Sequence, residues 1–332
     1  MSAMGKVSIV GAGPGDPELI TVRALARIRT AEVLVYDRLV NPELVAEAPP
    51  SAERVFSGKA RGFAALEQHE IEALLIARAL AGKHVVRLKG GDPYVFGRGG
   101  EEVASLVAAG IQVEVVPGVS SALAAPASAG IPVTHRKLSS SLTIVTGHED
   151  PTKPEAAVDW DWLAASHGTL VILMGLSQLS GIRDRLIAGG RSPETPAAAI
   201  ANGTRPDQQV VSATLSELPE MVAAAQLVAP ALIVVGDVVR YRELLAPSAL
   251  NGMPVMAVQG EDSRVEPEPA VFARVGSLSP YLVSERPREP DNPARWRDGG
   301  RRRRRPYRGH PIMRHQEPLG WSQAGIHGGS NG

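Results

Sequence analysis

Between residues 6 and 129, short apolar runs alternate with helix-length segments, and this alternation constrains the fold more than any other feature. The runs KVSIV, VLVYD, RVFSG, VVRLK and VEVVPG precede helical patterns at Pro17 to Ala31, Pro42 to Ala48, Gln68 to Leu80, Glu101 to Ala109 and Val119 to Ala129. Five successive βα units require a parallel sheet, because parallel neighbours need crossovers and these crossovers are helix-sized. Gly82, Gly110 and Gly130 stand where helices would end in a left-handed cap. Hydrophobic residues make up 44% of the chain but aromatics only 4%. The core must therefore come from Val, Leu, Ile and Ala, as in buried parallel strands covered by helices.

A turn-rich stretch, GIPVTHRKLSSS, ends this series. A second begins at LTIVTGH and continues through Asp159 to Ser166, TLVILMG, Gln178 to Ala188, AAAIANG, VVSATL, Glu217 to Gln226 and ALIVVGDVV. The expected fold class is α/β, with two α/β domains, residues 1–135 and 136–245, and a ligand-holding cleft between them. Beyond 245, Pro, Gly and Arg take over, and residues 246–332 are expected to be a disordered tail. That tail holds 13 of the 35 basic and 9 of the 35 acidic residues, so it carries +4 and the body −4. Only the body reads as an enzyme.

The chain has no cysteine, which excludes disulfides, thiolate metal sites and a cysteine nucleophile, and fits a reducing compartment. The N-terminal MSAMGKVSIVGAGPGD shows no cationic leader followed by a cleavable apolar segment. Val113 to Val133 is broken by Glu114, Pro117 and Pro126, so it falls short of the ~20 apolar residues of a membrane span. A cytoplasmic protein without a membrane partner is expected. His310, His315 and His327 are too scattered to suggest a metal site.

In an open α/β sheet ligands bind beyond the carboxyl ends of the strands, so the residues after each strand carry the chemistry. Here these are GAGPGD, Asp37-Arg38, Gly58-Lys59-Ala60-Arg61, Lys89-Gly90-Gly91-Asp92 and Pro117-Gly118. The first loop invites a dinucleotide reading. Against it, Asp16 replaces the third glycine of that fingerprint with a negative charge, and Pro14 removes an N–H donor. The run Gly90 to Glu102, GGDPYVFGRGGEE, is more specific. Its glycines permit close backbone approach, Asp92-Pro93 turns the chain, and Arg98, Glu101 and Glu102 open the next helix. The two acids also suit a helix N-terminus as such, and Arg98 also suits simple pairing with them.

In order along the chain, GAGPGDPELIT, YDRLV, GKARG, RLKGGDPYVFGRGGEE, VVPGVSSA, AGIPVTHR, VTGHE, MGL and NGT resemble the uroporphyrinogen-III C-methyltransferases, a branch of the tetrapyrrole methylases. The resemblance covers roughly Lys6 to Leu245. It implies two α/β domains holding S-adenosylmethionine in their cleft, a homodimer, and transfer of two methyl groups to uroporphyrinogen III. The implied product is precorrin-2, for corrinoid or sirohaem synthesis. By motif, the implied cofactor contacts are Pro14, Gly90, Gly91, Asp92, Val95, Ser120, Ser121, Met174 and Gly203. Asp37 matches a proton acceptor and Lys59 a proton donor, while Arg98, Glu101 and Arg136 match residues that handle substrate. The chain departs from the pattern at Ser120-Ser121, where Thr-Ala is frequent, and at GKA in place of GKR, which moves the next cation to Arg61. Met174 also reads as an ordinary gap-filling core side chain.

Uroporphyrinogen is a polycarboxylate, and a body of −4 would repel it unless cations were concentrated locally. Arg38, Lys59, Arg61, Lys89, Arg98, Arg136 and Lys137 are the expected cluster, with guanidinium groups suited to bidentate carboxylate binding. Two alternatives stand beside this reading. One is a methyltransferase for a later precorrin intermediate. The other, of a different class, is a polyanion or nucleic-acid-binding protein acting through Arg301 to Arg305, although the acidic body argues against nucleic acid as a partner.

Overall fold

The computed structural model describes residues 4–58, 66–149, 151 and 157–244. Lys59, Arg61 and the tail expected at 246–332, with its arginine run, lie outside the described residues. Strands β1 (Lys6–Gly11), β2 (Val33–Tyr36), β3 (Glu53–Phe56), β4 (His84–Lys89) and β5 (Gln112–Val116) form one sheet in the order β3-β2-β4-β1-β5. Every neighbouring pair is parallel, as the alternation requires. The crossovers carry α1 (Val22–Ile28), α2 (Pro42–Ala46), α3 (Gln68–Leu80) and α4 (Gly99–Ala108). Gly82, Gly110 and Gly130 have φ of 83°, 74° and 75° just after their helices, the left-handed stop that glycine permits without strain.

Strand alternation divides the first core in two. Val10, Leu34, Val86 and Leu88 pack with Ala24, Ile28 and Leu44 beneath α1 and α2. Val7, Ile9, Val33, Val35 and Val85 pack with Ile71, Leu75, Ala79 and Leu106 of α3 and α4. The helix expected from Pro17 is split. Asp16 caps a single 3-10 turn at Pro17–Leu19, and Thr21 then caps α1 by accepting from the Ala24 N–H.

The second sheet contains β6 (Leu142–Thr146), β7 (Thr169–Leu173), β8 (Pro196–Ala201), β9 (Gln209–Thr214) and β10 (Ala231–Val235), in the order β6-β7-β10-β8-β9. Only β6 and β7 are parallel. A short connection makes β8 and β9 a hairpin, and β10 inserts antiparallel between β7 and β8. Helices α6 (Trp160–Ala165), α7 (Leu179–Ala188) and α8 (Leu218–Ala224) cover one face. The other face is covered by α5 (Ser121–Ser128), whose Ala122 and Ala125 pack on Val171, Ala198, Ile200 and Leu232. A short α9 (Tyr241–Leu244) follows β10. Thus α5 begins at the edge of the first sheet and ends beneath the second. Among the described residues no helix is long and apolar enough to cross a membrane, and no cluster of acids and histidines could hold a metal.

Candidate active site

β1 and β4 lie side by side at the centre of the first sheet, but their connections leave in opposite directions, to β2 and to β5. Such a switch point opens a crevice at the strands' carboxyl ends. The two loops that emerge there are tied together: Gly91 N–H donates to Gly13 O at 2.7 Å, Gly13 N–H to Gly91 O at 3.2 Å, and Ala12 N–H to Lys89 O at 2.7 Å. The loop after β5 closes on them without room for side chains. A Cβ on Gly118 would stand 2.2 Å from Gly91 O, and one on Gly11 2.5 Å from Gly118 N. Asp92 locks the junction, its Oδ2 accepting from Gly118 N–H at 3.1 Å and its Oδ1 from Tyr94 N–H at 2.8 Å. Gly91 itself, at φ 66°, faces open space bounded by Ser121 N at 3.9 Å and Ser120 Cα at 4.0 Å. The result is a backbone-lined cradle between the glycine loop and the first turn of α5, where Ser120 is the N-cap.

Beside this cradle lies a buried polar network. β4 places Arg87 and Lys89 on the face otherwise filled by Val85, and they are only 2% and 4% exposed. Glu102 of α4, fully buried, accepts from Arg87 Nε at 3.2 Å and from Lys89 Nζ at 2.9 Å. Arg87 Nη2 donates to Asp37 Oδ1 at 2.5 Å and Nη1 to Ser57 Oγ at 3.1 Å. Two cations and two carboxylates therefore balance inside the sheet, which is the condition under which buried charge is tolerated. Lys89 consequently does not join the substrate-binding cations expected from sequence: Glu102 holds it in the core. Glu102 likewise does more than favour a helix dipole. Neither Arg87 nor this use of Glu102 was singled out by sequence, although a basic residue inside the apolar run VVRLK is the signal that could have found them.

Arg98 and Glu101 face outward. Arg98 caps α4 in a left-handed conformation, φ 56°, and its guanidinium binds Glu101 through Nε at 3.0 Å and Nη2 at 2.6 Å. The hydrogen bond from Arg98 holds the Glu101 carboxyl below its usual value, and the same bond raises Arg98. Both side chains are more than half exposed, so the pair is weakly held and can exchange for a ligand carboxylate. Tyr94 and Phe96, 57% and 45% exposed, add an apolar rim that sequence reasoning also missed.

The second sheet supplies Met174, 48% exposed at φ 58°, and the loop Asn202 to Thr204 after β8. Met174 is therefore not an ordinary core side chain. Thr204, at φ 71°, accepts from Asp16 N–H through Oγ1 at 3.1 Å and so joins the first loop to the second sheet. Gly203 is pinned against α5, since a Cβ there would lie 2.2 Å from the Ala125 Cβ. Among the described residues, five of the six non-glycine residues with positive φ, Phe96, Arg98, Met174, Asn202 and Thr204, occupy these strand-end loops. Strained backbone of this kind concentrates where a site needs a fixed shape.

Pro14, Gly90, Gly91, Asp92, Val95 and Ser120 belong to the three loops of the cradle and Ser121 opens α5 next to them, with Asp37 beside them on the loop after β2. Arg136 does not join them. It lies in a turn closed by His135 and Ser139. Ser139 Oγ accepts from Thr169 N–H at the start of β7, the end opposite Met174. A five-residue strand, about 17 Å at ~3.3 Å per residue, separates them, so within one chain Arg136 is removed from the cluster by the length of β7. Lys137, in the same turn, is removed with it.

Comparison with known proteins gives the family. Residues 6–219 match the model of the tetrapyrrole (corrin/porphyrin) methylases. The S-adenosyl-L-methionine-dependent uroporphyrinogen III methyltransferase of Methanosarcina barkeri is 52% identical over 241 residues, covering 73% of this chain and 94% of the relative. The siroheme synthase of Methylococcus capsulatus is 49% identical over 74% of this chain, which spans 51% of that longer relative. Among solved structures, uroporphyrin-III C-methyl transferase from Thermus thermophilus complexed with S-adenyl homocysteine aligns with a TM-score of 0.61 and 42% identity, covering 71% of this chain and 99% of that one.

Proposed function

The chain belongs to the tetrapyrrole methylase family, and from that membership we propose that it transfers two methyl groups from S-adenosylmethionine to uroporphyrinogen III, giving precorrin-2. The observation that carries this reading is the junction of Gly91, Gly118 and Gly11 beside Asp37. The open space in front of Gly91, lined by backbone and the first turn of α5, fits a methyl donor with a nucleoside and an amino-acid end. Gly90, Gly91, Asp92, Val95, Ser120 and Ser121 would hold it, with Pro14, Met174 and Gly203 closing the sides.

The donor supplies a methyl already activated on a sulfonium, so alignment and exclusion of water are what the protein must provide. The strained, interlocked loops fix that alignment. Asp37 presents a carboxylate to the pyrrole N–H, whose loss makes the ring carbon a better nucleophile. Arg38 and Arg98 meet the substrate's carboxylates, and Tyr94 and Phe96 offer apolar surface to the macrocycle. Lys59 is assigned the proton donor's part by motif alone. The protein works as a homodimer in the cytoplasm, a reading supported by the family resemblance. Incubation with S-adenosylmethionine and uroporphyrinogen III under reducing conditions, followed by mass spectrometry, tests the assignment: two added methyl groups are expected, and none would refute it.

A further inference from the structure

Asp37 is held from inside the sheet by a residue that the reaction itself does not touch. Arg87 is buried to 2% exposure, a position that is costly for a guanidinium unless its donors are used. Its described bonds run to Glu102 Oε1, to Ser57 Oγ and, at 2.5 Å, to Asp37 Oδ1. Ser57 Oγ lies 3.1 Å from the same Asp37 oxygen and 3.0 Å from Tyr36 O, and shares one proton between them. Asp37 Oδ2 makes no hydrogen bond among the described residues. Its cation neighbour there is Lys89 Nζ at 3.9 Å, and Glu102 engages that ammonium at 2.9 Å. One oxygen of Asp37 is thus anchored in the core, and the side chain keeps 33% of its surface exposed.

We propose that Arg87 is a positioning residue for methyl transfer: by binding Oδ1 of Asp37 within the sheet it fixes the carboxylate so that Oδ2 receives the pyrrole N–H, and Glu102 holds Arg87 in place. The proposal rests on the methyltransferase reading above. As the new bond forms between the methyl and the pyrrole carbon, the carbon–sulfur bond of the donor breaks and leaves a neutral thioether. The ring N–H proton passes to Oδ2, and its electron pair enters the ring. A carboxylate free to rotate would spend most of its time misaligned for that transfer, and small misplacements cost large factors in rate. Arg87 reaches Asp37 from β4, three residues before Gly90, so one strand end sets both the donor cradle and the base.

A double-mutant cycle on the purified full chain tests this. Arg87→Gln should lower kcat for uroporphyrinogen III by roughly 30-fold while KM and S-adenosylhomocysteine affinity stay within about threefold, the signature of an interaction used in the transition state. In an Asp37→Asn background the same substitution should cost under about threefold, because the group it positions is already gone. An equal loss in both backgrounds, or a parallel loss of S-adenosylhomocysteine affinity, would overturn the proposal. If Arg87→Gln does not fold, Ser57→Ala removes the other donor to Oδ1 and enters the same cycle, with an expected loss of about fivefold that vanishes beside Asp37→Asn. A parent protein that methylates nothing would refute the methyltransferase reading and this proposal with it. A methylating parent with an additive cycle would refute the positioning role alone.

Discussion

The two sheets solve different problems with similar parts. β4, at the centre of the first, buries Arg87 and Lys89 among its valines, whereas β10, at the centre of the second, reads Ala231-Leu232-Ile233-Val234-Val235 and buries only hydrocarbon. The first half therefore holds charge under its loops, and the second holds shape, through Met174, Gly203 and Thr204. A parallel sheet gathers all its carboxyl ends at one edge, so charges placed there converge. A mixed sheet scatters its ends and contributes only the few loops that fall on the shared side.

The largest effect that would break this contrast is loss of the central carboxylate. Glu102→Leu leaves two buried cations short of a partner and should destabilise the protein by about 4 kcal/mol, read by denaturant unfolding. Val234→Ala, at the apolar centre of the second sheet, should cost about 2 kcal/mol. Equal costs would deny the first half its special dependence on charge.

Gly118→Ala comes next. Its Cβ would press on the Gly91 carbonyl, a backbone atom that cannot rotate away, so a penalty of about 3 kcal/mol and loss of S-adenosylhomocysteine binding are expected. In the second half a Cβ on Gly190, at φ 101°, would meet nothing within 4 Å; alanine there should cost about 1 kcal/mol, from backbone conformation alone, and leave binding intact.

Arg98→Leu should raise KM for uroporphyrinogen III about tenfold, the worth of one charge-assisted contact, with S-adenosylhomocysteine affinity measured calorimetrically unchanged. Equal losses in both would place Arg98 in the donor site instead. The smallest effect concerns the amino-terminal end of β4, opposite the cradle. Burial holds the His84 imidazole below its ordinary 6.5, against the opposing hydrogen bond to the Thr30 carbonyl; Lys6 and Arg27 add to the lowering, Glu32 opposes it, and Ser8 Oγ stands against Nε2. Folding thus disfavours its protonation: the contribution is complete above 6.5 and is lost as pH falls from there through the folded value. Tm should decline slightly over that window in the parent and not in His84→Gln.

Much of this was legible in the sequence because the first series repeats one unit. The period of strand and helix set the parallel sheet, and glycines after helices set the stops at 82, 110 and 130. The loops of the cradle were legible for the same reason, since a strand end fixes where its next residues go. The mixed order of the second sheet was not, because β10 pairs with strands distant in sequence and nothing local to ALIVV states its direction. Arg136 and Lys89 show the limit for single residues. A cation near a strand end looks alike whether it stands exposed in a surface ion pair, as Arg98 does, is neutralised in the core, as Lys89 is, or sits at the opposite end of the strand, as Arg136 does.

The most direct measurement pairs two readings on Asp37→Asn and its parent: methyl groups added to uroporphyrinogen III, counted by mass spectrometry, and the affinity for S-adenosylhomocysteine. A general-base role for Asp37 predicts two methyl groups on the parent's product, at least roughly a hundredfold slower addition by the variant, as is typical when a general base is lost, and the same affinity in both. Unchanged methylation by Asp37→Asn, or its loss together with S-adenosylhomocysteine binding, would contradict it.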